Sequence, residues 1–162
     1  MENNHENHKE KGKNNYTKFA LMLLASFMAM YITMYFNTYE IDHIYFSLTR
    51  FYMACLGIST MAVIMLLFMI NMYTDKKKNI AILLGSLILF VSVLSLVRTQ
   101  TPIGDVLYMK AMIPHHSIAI LTSKKADLKD PEVRKLADAI IRAQEKEIIE
   151  MKAYIKRLQT EK

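Results

Sequence analysis

Apolar residues fall in three long blocks, 19–36, 51–71 and 80–97, and none of them contains Asp, Glu, Lys or Arg. A helix needs roughly 20 apolar residues to cross a hydrocarbon core of ~30 Å, so each block is long enough to span a membrane. Burying three such helices in a soluble core would take more chain than the remaining residues supply. The first block follows a polar arm of 18 residues, and no small-x-small cleavage pattern ends it, so it reads as a retained anchor rather than a signal peptide.

Past residue 97 the pattern becomes charged and amphipathic, and the punctuation predicts two further helices. Thr101 with Pro102 reads as an N-cap and first-turn pair, and Asp130, Pro131 and Glu132 repeat the signal. A turn is expected near 127–130, with Lys124 and Lys125 closing the first helix where the dipole favours cations. The inward stripe of the second helix runs Val133, Leu136, Ile140, Gln144, Glu147, Met151, Tyr154 and Leu158; that of the first runs Val106, Met109, Ile113, His116 and Ile120. The predicted fold is therefore all-α: a polar arm (1–18), a three-helix transmembrane anchor (19–97) and a helical hairpin (98–162). A two-helix hairpin buries its own stripe poorly, so pairing with a second copy into a four-helix bundle is expected.

The charges orient this plan. Lys9, Lys11, Lys13 and Lys18 in the arm and Lys76, Lys77 and Lys78 between blocks two and three outweigh the single cation of 37–50. Positive-inside counting then puts the N-terminus in the cytoplasm and, after an odd number of crossings, the hairpin outside the cell membrane. Tyr16, Tyr39, Tyr52 and Tyr73 near the block ends suit the headgroup layer. The chain has 162 residues, a sequence pI near 9.3, 52% hydrophobic and 22% charged residues, and a net charge of +6 spread over both sides, which argues against nucleic acid as a partner. Lipid is the partner the arm's lysines imply. Cys55, the single cysteine, excludes a disulfide framework and a thiolate cluster.

Candidate chemistry sits where polar residues interrupt the hairpin's stripes. Folding the hairpin about Lys129 or Asp130 sets His116 across from Gln144, Met109 from Met151 and Met112 from Glu147. Met109, Met112 and His116 share the i, i+3, i+7 spacing of Gln144, Glu147 and Met151, each triple within a wedge of roughly 60°. Thioethers with imidazole favour Cu(I) over oxygen-seeking cations. His115 lies about 100° around the helix and reaches the same ion only from the edge. Pro114 removes one helical hydrogen bond beside the two histidines. The same residues also fit a metal-free reading, in which His116, Gln144 and Glu147 form a buried network that fixes helix register and the methionines are core.

The run Met109-Lys-Ala-Met112-Ile113-Pro114-His115-His116, with Gln144, Glu147-Ile148 and Met151 further on, resembles the domain of unknown function 305 family over about 105–158. The resemblance implies a ferritin-like helical domain, exported or membrane-anchored, some members of which are associated with binding copper and with tolerance of it. It makes His115, His116, Met109, Met112 and Met151 candidate ligands, and Gln144 and Glu147 ligands or their supporting partners. Ser117 departs from the family, which commonly has an acid or amide there.

Elsewhere the signals are weaker. Met61, Met65, Met69 and Met72 follow helical spacing in block two and read as packing, with a soft-metal conduit as the alternative. His5 and His8 stand in the polar arm, and Asp42 and His43 in the loop before block two, where a docked hairpin would find them. The sequence has no nucleophile motif, phosphate loop or paired catalytic carboxylates, so no enzyme is expected. Di-iron oxidation needs several carboxylates with Glu-x-x-His pairs, no such pair is read in the sequence, and that chemistry is set aside. The expected role is membrane-anchored binding of copper(I), for buffering, tolerance or hand-over, with a metal transporter as a possible partner; the alternative is an oligomerisation or partner-docking module.

Overall fold

The computed structural model describes the backbone from Glu2 to Glu161 and side chains from Asn15 to Glu161. His5 and His8 lie outside the described side chains. The described residues form five α-helices and two 3-10 turns and no strand: α1 (Glu2–Thr33), α2 (Leu48–Phe68), α3 (Lys76–Thr99), α4 (Asp105–Lys125) and α5 (Pro131–Thr160), with the 3-10 turns at Ile41–His43 and Ile70–Met72. Three stretches, Asn15–Thr33, Leu48–Phe68 and Lys76–Thr99, are long and apolar enough to cross a membrane. In the first and third, 6% of the hydropathic window is buried, so apolar side chains face outward on nearly all sides. Such a surface suits lipid and not water.

The chain divides into two compact units. Met1–Tyr31 and Phe51–Gln100 make the first, and Ile32–Arg50 and Thr101–Lys162 the second. The loop before α2, which the sequence suggests is part of the anchor, thus packs with the hairpin.

In the first unit Phe19, Ala62, Leu66 and Tyr73 form the core. A polar knot closes one end: the Tyr16 hydroxyl donates to Asn79 Oδ1 at 2.7 Å, and Asn79 Nδ2 donates to the Tyr73 carbonyl at 2.7 Å. Asp75 caps α3, its carboxylate accepting from the amides of Lys77 and Lys78 at 3.0 and 3.2 Å. The methionine stripe proposed for α2 does not hold, because α2 ends at Phe68 and leaves Met69 and Met72 beyond it. Met65 and Met69 pack against the core, as the packing reading expects.

In the second unit α4 and α5 form the hairpin. Asp130 caps α5 as the sequence predicts, accepting from the amides of Glu132 and Val133 at 2.8 and 3.0 Å. Thr101 and Pro102, however, do not start α4. The helix begins at Asp105 behind an extended Gly104, and Asp105 supplies the acid at its N-terminal turn. α4 continues through Pro114, which is fully buried.

The hairpin core is Met109, Ile113, Ile120, Ile148 and Ile155, with Val106, Met151 and Leu158 against it. The buried face of α5 is therefore rotated from the predicted stripe: Ala137, Ile148 and Ile155 are buried, whereas Val133, Leu136 and Tyr154 are 47%, 61% and 48% exposed. The apolar arc of α5 is wider than one helix covers, so its periodicity marks the middle of the arc while α4 occupies only one side.

Candidate metal site of the hairpin

Midway along the hairpin, His116 of α4 meets Glu147 of α5, Nε2 to Oε2, at 2.7 Å. Of the two partners the sequence offers His116, the observed one is Glu147 and not Gln144, which is half-buried on α5. An ionised carboxylate only accepts, so a neutral imidazole donates through Nε2 and leaves Nδ1 as the nitrogen with a lone pair. That Nδ1 is buried and has no hydrogen-bond partner. The His116 side chain is 11% exposed and the Glu147 side chain 50%, so the carboxylate stands at the edge of the pair that water can reach.

The seven candidate residues sort into groups. Met112, half-buried on α4, precedes His116 by four residues, about one helical turn. Met109 lies seven residues before His116, two helical turns or about 10 Å along the axis. Met109 and Met151 instead line an open cavity of about 400 Å³ with Asp105, Tyr108, Tyr154, Arg157 and Leu158. His115 is exposed, with its ring centroid 6.2 Å from that of His116 and the two planes 65° apart.

The loop packs on α4 through Ser117, which is fully buried. Its hydroxyl oxygen accepts from the Tyr39 amide at 2.8 Å and shares a hydrogen bond with His43 Nδ1 at 3.0 Å. Two ion pairs flank this contact. Lys124 Nζ donates to Glu145 Oε1 at 2.8 Å and sits 4.6 Å from the Tyr39 ring centroid, and the bond to Glu145 raises the lysine's pKa above its ordinary value. Lys152 Nζ donates to Asp42 Oδ2 at 2.6 Å, which holds the Asp42 carboxyl below the usual range. The sequence reading missed one signal: a Glu-x-x-His pair does occur, at Glu40 and His43 in this loop.

Fold and geometry define an all-α protein with three helices of membrane-spanning length and a polar helical hairpin that holds a buried imidazole. The family model "Domain of unknown function (DUF305)" matches residues 93–161, from the end of α3 through α5. The chain is also similar to "Uncharacterized protein L153" of Acanthamoeba polyphaga mimivirus, 36% identical over 144 residues, covering 87% of this chain and 93% of that one. The chain belongs to the DUF305 family. No solved structure matches it.

Proposed function

We propose that this chain is a membrane-anchored binder of a soft metal ion, copper(I) foremost, that buffers the ion or hands it on. The observation that carries the reading is the buried, unpartnered Nδ1 of His116, on an imidazole whose other nitrogen is held by Glu147. Metal-bound histidines characteristically give their second nitrogen to a carboxylate or carbonyl, which fixes the ring and raises its basicity. Met112, one turn away, offers the thioether that selects Cu(I) over harder ions. Met109 and Met151 supply two more around the neighbouring cavity, where an ion can rest on entry or exit.

In this proposal the arm faces the cytoplasm and the hairpin lies outside, following the lysine asymmetry. A second copy covers Val133, Leu136, Ile140 and Tyr154, the exposed side of the α5 arc, and brings two sites into one bundle. A metal transporter is a natural recipient of the ion.

One observation favours a second reading. The His116–Glu147 bond is short and complete without any ion, as a register-fixing network requires. The two readings separate in a Cu(I) titration of the full chain in detergent, under reducing conditions against a chromophoric chelator, beside the variant His115→Ala/His116→Ala. Tight binding lost in the variant, with Zn(II) far weaker at that site, supports copper; no binding by a folded chain leaves the network. The full chain is used because Ile32–Arg50 packs in the same unit as the hairpin.

A further inference from the structure

We infer that the loop carries a second metal site of different chemistry, in which Glu40, Asp42 and His43 hold a divalent transition ion of the zinc class. The local fold explains their convergence. A 3-10 helix has 3.0 residues per turn, so side chains at i and i+3 eclipse. The turn Ile41–His43, entered from an extended Glu40, therefore brings Glu40 and His43 to one side, with Asp42 beside them. One ligand atom from each residue lies within 4.8 Å of the others.

His43 is what turns this loop from an exposed acidic patch into a site. It is 6% exposed, and its ring is clamped through Nδ1 by Ser117, itself fixed by the Tyr39 amide. With Nδ1–H donating to Ser117 Oγ, Nε2 presents its lone pair toward the two carboxylates, the orientation that outer-shell hydrogen bonds impose on ligating histidines. Nε2 stands 3.6 Å from Glu40 Oε2 and 3.6 Å from Asp42 Oδ1. Both distances exceed a hydrogen bond. They suit a coordination sphere instead: with bonds of about 2.1 Å, neighbouring ligands of a tetrahedral ion stand about 3.4 Å apart.

The donor set decides the class of ion. One imidazole and two carboxylates, without a thioether, select a borderline divalent ion and not Cu(I), and three protein ligands leave a fourth position for water. Asp42 also accepts from Lys152 of α5 through its other oxygen, and His43 holds Ser117 of α4. An ion bound here tightens the clasp of the loop on both helices of the hairpin. Nothing in this site uses a residue of the proposed copper site, so the two stand or fall separately.

The test uses the full chain in detergent with His5→Ala and His8→Ala, so that the arm supplies no imidazole, and Co(II) as a coloured stand-in for Zn(II). One Co(II) per chain, with the strong visible absorption of four-coordinate geometry and displaced by Zn(II), is expected. His43→Ala should abolish the signal. Glu40→Gln should do the same while leaving the Ser117 contacts and helicity unchanged, and His115→Ala/His116→Ala should retain it. No Co(II) or Zn(II) binding by the folded parent, or an undiminished signal in His43→Ala and Glu40→Gln, would overturn the site and leave three residues that pair with each other, with Ser117 and with Lys152.

Discussion

Replacing Glu147 with alanine removes the one partner of a nearly buried imidazole. In the native hairpin His116 has a single side-chain hydrogen bond, at 2.7 Å to Glu147, and its other nitrogen has no partner. A hydrogen bond to a charged group contributes about 1.5–3 kcal/mol. Because half of Glu147 is exposed, water can partly replace it, which puts the expected loss near the lower end, about 1–2 kcal/mol. Copper affinity should fall further in relative terms, by about 10–100-fold, since loss of a group that orients a ligating histidine has that effect. Two assays on the same samples read the two quantities: hydrogen exchange of the α4 amides around His116 for local stability, and Cu(I) competition for affinity. Glu147→Gln keeps an acceptor oxygen and should fall between the parent and Glu147→Ala in both. A Glu147→Ala chain that is locally destabilised yet binds Cu(I) like the parent would refute the orienting role and make the pair a register device.

Three further outcomes follow from the geometry. Ile113→Ala, at a fully buried position of the hairpin core, should destabilise the second unit by about 2–5 kcal/mol, seen as faster exchange throughout α4 and α5. Ser117→Ala leaves the Tyr39 amide without its acceptor and His43 Nδ1 without its partner and should cost about 1–3 kcal/mol, with Tyr39 and His43 amide protection lost before that of the helices. Asp75 has its carboxyl held below the ordinary value by the Lys78 amide, so its cap is intact above about pH 3.9, the unfolded value, and is lost as pH falls through the lower folded one. Exchange at the Lys77 and Lys78 amides, corrected for intrinsic rate, should rise only in that acid range, and in Asp75→Asn it should not change there.

The membrane-length helices were legible because they need only composition, and their ends were not because ends depend on partners. α2 starts at Leu48, ahead of the charge-free block, since Arg50 finds the Met34 carbonyl at 2.7 Å and the face of Tyr35. Asp130 announced its helix because a cap acts on amides two and three residues away; Gly104 offers no side chain to announce one. The buried face of α5 was misread by part of a turn, since periodicity cannot tell which side of a wide apolar arc a neighbour covers. His116 and Glu147 were legible as polar breaks in apolar stripes and as members of one network, though the stripes alone did not choose Glu147 over Gln144 as the partner of His116. Asp42 and His43 were legible as loop residues within reach of a docked hairpin, but Glu40 was not joined to them, because what distinguishes the cluster is the burial of His43 against Ser117, 74 positions further along the chain.

The central claim is that a thioether and an imidazole of the hairpin bind the same soft ion. X-ray absorption of the Cu(I)-loaded full chain tests it most directly, beside Met112→Leu, which keeps the volume and removes the sulfur. Sulfur together with nitrogen scatterers in the parent, and loss of sulfur scattering in the variant with the helices intact, is the predicted result. A copper shell of nitrogen and oxygen alone, or one unchanged by Met112→Leu, would contradict it.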